Sequence, residues 1–295
     1  AGDEASRTSK DERSESFGGR ERRGLSMPAI SHNWSVNNYH GVETGVFDLD
    51  SVSTGTDKPH TPKHSVMHEA VAAYPDADST VSRYARTAAD YGYDGVVVRT
   101  RGAEFDGEAI SDRYGSDVVT GIEIDAGDPE EAAGAVGNFR SDCTVLLLAG
   151  GTNALNRYAV ETDRIDVLTR PMAGDGDINH VLARAADTHG VHIEFDLGPV
   201  LRASGGRRVQ AIKRLRKLRE IVTQYDAPFV VSVNATSHRQ LRAPRELRAV
   251  GEQIGFTAAQ ITAGLDAWGD IAARNRERMA DEFVEPGVRR GRDSG

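Results

Sequence analysis

The chain is 295 residues long, and its 38% hydrophobic and 27% charged content suits a globular protein with its own core. The longest purely apolar run, residues 145–149, falls far short of the ~20 residues a membrane-spanning helix needs, and no apolar N-terminal stretch suggests a secretory signal, so a cytoplasmic protein without membrane association is expected. Acids outnumber bases 45 to 36, and five of those bases are lysine against 31 arginines, the habit of proteins adapted to concentrated salt.

Residues 1–66 are a loose mixture of Ser, Gly, Asp, Glu, Arg and His with no lasting periodicity. Such a segment buries too little apolar surface to offset its ordering entropy, so it is expected to be disordered. Its histidines, His32, His40, His60 and His64, lack metal-ligand spacing. A second expectation is that this segment is a non-native extension and that Met67 is the natural start.

From Met67 onward, strand-like and helical patterns alternate. EAVAAY (69–74) precedes a helix capped by Ser79 and ended by Gly92. GVVVRT (95–100) precedes a short polar helix. DVVTGIEID (117–125) precedes a helix with Asp128 as N-cap and Pro129 at its first position. TVLLLAG (144–150), RIDVLTR (164–170), GVHIEFDLG (190–198) and PFVVSVNA (228–235) follow, each trailed by a helical stretch, and two more helical stretches close the chain. Seven short strands, each with a following helix, predict an α/β fold with parallel pairing and right-handed crossovers. AYPDADST after the first strand contains no glycine-rich dinucleotide turn, which favours a TIM-barrel-like (β/α) barrel of seven or eight parallel strands over an open sheet. The barrel domain is expected to span 67–295 with a helical C-terminus.

In such barrels function sits at the C-terminal ends of the strands. The pattern places Asp76, Asp78, Arg99, Arg101, Glu123, Asp125, Gly150, Gly151, Arg170, Glu194, Asp196, Asn234 and His238 there. A metal-dependent phosphoesterase would draw on Asp76, Asp78, Glu123, Asp125, Glu194 and His238. Alternating acids and arginines favour instead internal ion pairs of Glu123/Asp125 and Glu194/Asp196 with Arg99 and Arg170. Gly150-Gly151 is either a tight turn or a phosphate-binding backbone. Cys143, the only cysteine, reads as a buried inert thiol.

The strongest departure from the acidic background is at 202–219, which holds Arg202, Arg207, Arg208, Lys213, Arg214, Arg216, Lys217 and Arg219 and no acid. On a helix, Ala211, Ile212, Leu215, Leu218 and Val222 form one apolar stripe, and the bases take the remaining circumference. A second row, Arg239, Arg242, Arg245 and Arg248, has a spacing of three, and Arg289, Arg290 and Arg292 follow in the tail. Arginine forks keep hydrogen-bonding geometry where salt screens a point charge, so a phosphate ligand is expected. With no interleaved aromatics, backbone and shape recognition of a folded RNA is indicated. An acidic protein partner remains open as a third reading.

Several blocks carry a family likeness. GGTNALNRYAVETDRIDVL (150–168), with Gly150, Gly151, Asn156, Arg157, Asp166, Val167 and Leu168, resembles the ribonuclease P protein component 3 family of archaea. YGYDGVVVRT (91–100), INHVLARAADTHGVHIEFDL (178–197) and SVNATSHRQLRAPRELRAVGEQIG (232–255) extend it in order. The resemblance implies a barrel related to the polymerase-and-histidinol-phosphatase (PHP) phosphoesterases. It also implies a role as a subunit of ribonuclease P, the particle that removes the 5′ leader from precursor tRNA. It further implies catalysis by the RNA with Mg²⁺, no cofactor on the protein, and pairing with protein component 2. AYPDADS lacks the histidine of the PHP metal cluster, so no catalytic or metal residue is assigned to this chain. RNA contact is expected at Arg202, Arg207, Arg208, Lys213, Arg214, Arg216, Lys217, Arg239, Arg242 and Arg245, with Arg157 added.

Overall fold

The computed structural model describes residues 66–280, together with the backbone of Phe283–Glu285 and Val288–Arg289. The expectations of a disordered segment before Val66 and of added bases at Arg290 and Arg292 lie outside the described residues. The described residues belong to one compact unit, Thr61–Gly295.

The strands are β1 (His68–Val71), β2 (Gly95–Val98), β3 (Asp117–Ile124), β4 (Val145–Ala149), β5 (Val167–Thr169), β6 (His192–Asp196) and β7 (Phe229–Ser232). They pair in sequence order, all parallel. Between them lie α1 (Val81–Tyr91), α2 (Gly107–Tyr114), α3 (Pro129–Phe139), α4 (Asn153–Val160), α5 (His180–His189), α6 (Gly198–Arg202) and α7 (Gly205–Gln224). α8 (Pro244–Ile254) and α9 (Ala258–Met279) follow β7. The expected pair of closing helical stretches is one long helix, α9, followed by a two-stranded antiparallel pair, β8 (Phe283–Glu285) and β9 (Val288–Arg289).

The ring closes between β7 and β1 with little ladder. Val71 bridges Ala235, and Ala72 donates its N–H to the Ala235 carbonyl at 3.0 Å. Lower down a side chain takes over: Glu69 Oε1 accepts the Val233 N–H at 2.9 Å. β1 stops before the expected Tyr74 because Thr100 replaces its neighbour's backbone. The Thr100 hydroxyl accepts from Ala73 N at 2.8 Å and donates to Ala73 O at 3.1 Å. Ser79 does not cap α1; Thr80 holds that place, and Ser79 Oγ lies 2.8 Å from His238 Nδ1. Gly92 and Asp128 cap as the sequence predicts.

Register sets the layers inside the barrel, because residues two apart share a face. Ala70, Val97 and Val119 align across β1, β2 and β3, and with Val145, Leu147, Val167 and Val230 they fill the lower barrel. Trp268, Ile271 and Ala272 of α9 complete that cluster. Gly264 and Gly269 let α9 lie this close, since an added Cβ would sit 2.6 Å from Val231 Cγ2 and 2.6 Å from the Val66 carbonyl, respectively. Trp268 Nε1 donates to Val231 O at 2.9 Å. α9 thus plugs the N-terminal end, where Arg276 meets Asp117 at 2.8 and 2.9 Å and Arg274 and Asn275 meet Asp166 at 3.0 and 2.8 Å.

The barrel mouth and the basic face

One step up the same inward rows, the apolar layer gives way to a polar one. Arg99 is buried at its centre. Its Nη1 donates to Glu194 Oε1 at 2.9 Å and to Asn234 Oδ1 at 3.2 Å, and Nη2 donates to Glu194 Oε2 at 3.3 Å. Arg99 Nε lies 3.1 Å from Glu123 Oε2. Thr169 and Ser232 donate their hydroxyls to Glu123 and Glu194 at 2.5 and 2.7 Å. Arg170 then links outward to Asp125 at 3.1 Å and to Glu123 at 3.7 Å. The predicted ion pairs of Glu123, Asp125 and Glu194 are therefore present, whereas Asp196 accepts the Gly198 N–H and forms no ion pair among the described residues. Arg170 and Asn234, two of the three non-glycine residues with left-handed backbone among the described residues (φ 50° and 45°), belong to this network.

The electrostatics follow from this packing. Burial works to raise the Glu123 carboxyl, but the charge of Arg99, the Thr169 hydroxyl and Arg170 together hold it below its ordinary value. Asp196 is pushed up to about 6 by burial first and by the Glu194 charge second, against the N–H it accepts from Gly198 at 2.7 Å. Over this layer opens a cleft of about 680 Å³, lined by four carboxylates (Asp76, Glu123, Asp125, Glu131) and three guanidiniums (Arg99, Arg101, Arg170). Asp78 and His238 do not line it. Among the described residues no group of three His, Cys, Asp or Glu gathers at metal-binding spacing. A divalent ion at Glu123 and Glu194 would have to displace a guanidinium that cannot lose its proton, so these residues do not fit the phosphoesterase reading.

The glycine pair is a structural turn. Gly150 N donates to Thr169 O at 2.8 Å and Gly151 N to Asn156 Oδ1 at 3.3 Å, so neither N–H is left for a phosphate. Buried Asn156 also donates to Pro171 O and Asp177 O at 2.8 and 3.1 Å. A Cβ at Gly150 would lie 2.1 Å from Asn156 Oδ1, which explains the glycine.

On α7 the apolar stripe is as expected: Leu215, Leu218 and Val222 are buried, and Ala211 and Ile212 are half-buried. The bases divide. Arg207, Arg208, Lys213 and Arg214 are exposed, with no hydrogen bond or ion pair among the described residues. Arg216 donates to Gln253 O at 2.7 Å, Arg219 to Gly255 O at 2.9 Å, and Lys217 pairs with Asp177 at 2.6 Å. Arg202 is not on this helix. It closes α6, and its Nη1 donates to Val233 O at 2.8 Å. The row Arg239, Arg242, Arg245, Arg248 is not one helical face either. Pro244 forces Ala243 into extended backbone (φ −66°, ψ 148°), so the helix begins only after Arg242. Arg242 turns back onto Leu241 O and Arg239 O at 2.7 and 3.1 Å, whereas Arg239 and Arg245 stay exposed. Exposed Arg157 stands 3.9 Å from Glu161 on α4.

No sequence pattern marks Phe139 at the mouth, where the Arg101 guanidinium carbon lies 5.1 Å from its ring centroid. Nor did it flag Glu69 at the seam.

Comparison with known proteins decides the family. The model of the family described as RNase P subunit p30 matches residues 58–280. The chain belongs to that family. Proteins called ribonuclease P protein component 3 are 58% identical over 236 residues in Halorubrum lacusprofundi and 59% identical over 226 residues in Haloarcula marismortui. These alignments cover 77% and 76% of this chain and 98% and 96% of those proteins. A chain in a cryo-EM structure of archaeal ribonuclease P with mature tRNA shares the fold, with a TM-score of 0.66, 24% identity and coverage of 77% of this chain and 99% of that one. The family blocks in this chain are largely architectural: Asn156 pins the glycine turn, and Asp166 ties α9 to the barrel.

Proposed function

We propose that this protein, a ribonuclease P subunit by family, binds the catalytic RNA through the free half of α7 and supports removal of the 5′ leader from precursor tRNA. The carrying observation is the set Arg207, Arg208, Lys213 and Arg214, four exposed bases without acidic partners among the described residues, on a chain with net charge −9. Exposed Arg239 and Arg245 are further RNA contacts in this reading, and Arg157, Arg216 and Lys217 contribute after exchange of their present partners. Arg202 and Arg242 act indirectly, by holding the loops after β7. In this reading Mg²⁺ is held by the RNA, no cofactor resides on the protein, and protein component 2 is its partner in a cytoplasmic particle. The phosphoesterase alternative has no supporting observation, because Glu123 and Glu194 are held by Arg99 and no group of three potential ligands gathers among the described residues.

The test is reconstitution of precursor-tRNA cleavage with the RNA and component 2, using wild type and a variant with Arg207, Arg208, Lys213 and Arg214 all changed to Ala. Stimulation by wild type is expected. The variant should bind the RNA more weakly, with its log–log salt slope smaller in magnitude by about 3 if each base neutralises one phosphate. Equal affinity and slope would remove α7 from the interface. Retained RNA binding with lost binding of component 2 would assign it to a protein partner.

A further inference from the structure

We propose that the cleft at the barrel mouth receives a single guanine base; the idea rests on the RNA-subunit reading above and gives the mouth a separate role from α7. A volume of about 680 Å³ lies within the ordinary range of small-ligand sites. Its lining excludes other ligands by charge. Carboxylates outnumber guanidiniums by one, so a free phosphate is not favoured there. The deep carboxylates are occupied by Arg99, so a metal is not favoured either.

What remains free near the rim is specific. Exposed Asp76 has no partner among the described residues, and Asp125, whose side chain is 77% exposed, uses only Oδ2, toward Arg170. Exposed Arg101 makes no hydrogen bond among the described residues, and its guanidinium carbon lies 5.1 Å from the Phe139 ring centroid. An unstacked base can lie on such a guanidinium plane. Guanine alone among the four RNA bases offers two adjacent donors, N1–H and N2–H, to a carboxylate acceptor, and O6 and N7 suit an arginine. Adenine would set its N1 lone pair against a carboxylate, and uracil offers one ring N–H between two carbonyls. The neutral base enters the acid-rich cleft, and its phosphates stay outside.

Calorimetric titration of the full chain with GMP, AMP, CMP and UMP tests this. GMP should bind saturably and at least about tenfold tighter than the others, one such step being about 1.4 kcal/mol. A double variant, Asp76→Asn with Asp125→Asn, should lose that preference, and Arg101→Ala should weaken every nucleotide. Circular dichroism verifies that the variants remain folded. GMP no tighter than AMP, or an unaltered preference in the double variant, overturns the proposal. Photocrosslinking of 6-thioguanosine-substituted ribonuclease P RNA and precursor tRNA to the peptide holding Phe139 separates the sources. A crosslink supports an RNA base, and saturable GMP binding without one supports a free nucleotide. The fourfold α7 variant should still bind GMP, so failure at the mouth and failure on α7 are read independently.

Discussion

The two ends of the barrel use the same chemistry, arginine on carboxylate, to opposite effect. At the N-terminal end, Asp166 accepts from Arg140, Arg274, Asn275 and the Leu146 N–H, and Asp117 accepts from both Arg276 nitrogens and lies 3.1 Å from His68 Nε2. Burial works to raise Asp117, yet the bonds from His68 and Arg276 hold it far below its ordinary value. Trp268, Ile271 and Ala272 of the plug helix pack into the lower barrel layer. At the C-terminal end the pairing runs from Arg99 and Glu123 out to Arg170 and Asp125, and beyond it Asp76 and Arg101 have no hydrogen bond or ion pair among the described residues. The filled end fixes the fold, and the open end, with α7 beside it, keeps charge available for a ligand.

The comparison breaks most sharply at Asp166. Asp166→Ala removes four accepted hydrogen bonds and leaves partly buried Arg140 and Arg274 without their anion. Losing one partner of a buried pair costs about 3–5 kcal/mol. Urea unfolding should show a loss of that size, together with early opening of α9 in hydrogen exchange. A loss below about 1 kcal/mol would mean that the apolar contacts of Trp268 alone hold the plug. RNA binding through α7 should survive at temperatures where the variant stays folded.

The sequence made one end far more legible than the other. Val/Ile/Leu-rich strands with capped helices between them are local patterns, so seven strands and the caps Asp128 and Gly92 could be read directly. The mouth was legible too, because strand ends deliver their residues to it, and the ion pairs of Arg99 and Arg170 followed from alternating charge. The plug was not. Asp166 and Arg274 are 108 positions apart, and nothing local marks α9 as the helix that enters the barrel. The same limit applies to α7. Its helical wheel separates apolar from basic, but Arg216 and Arg219 are taken by carbonyls at the end of α8, which only the packing reveals. Arg202 looked like part of the basic run because sequence distance hides the break between α6 and α7.

Between the two ends, the seam depends on an acid that is neither paired nor exposed. Glu69 is raised from 4.5 to about 8, chiefly by burial, with the Glu194 and Asp196 charges adding to it against the Val233 N–H. The Tyr93 hydroxyl lies 3.4 Å from Glu69 Oε2 and donates to Arg242 O at 2.9 Å. The folded state therefore holds a proton that the unfolded state releases. Its stabilising effect is full below about 4.5 and is lost as pH rises through about 8. A shift of this size corresponds to a few kcal/mol, on the order of 1.4 per unit. Glu69→Gln keeps an acceptor for Val233 N–H and a donor toward Tyr93. It should match wild type near pH 5 and exceed it in unfolding free energy at pH 9. Parallel pH profiles for the two proteins would show that the seam does not carry this acid in neutral form.

The smallest expected effect sharpens the division within α7. Lys217 and Arg214 are three positions apart on one exposed helix, yet Lys217 is paired with Asp177 and Arg214 has no partner among the described residues. Lys217→Ala should cost at most about 0.5 kcal/mol, since both members of the pair are roughly half exposed and solvent screens them. Arg214→Ala should leave stability unchanged within measurement. In RNA binding the order reverses. Arg214 meets a phosphate at no cost in internal contacts, whereas Lys217 must first leave Asp177, so Arg214→Ala should weaken binding more. If Lys217→Ala proves the more damaging in RNA binding, the Asp177 pair opens on assembly, and the interface reaches past the free half of the helix toward the loop before α5.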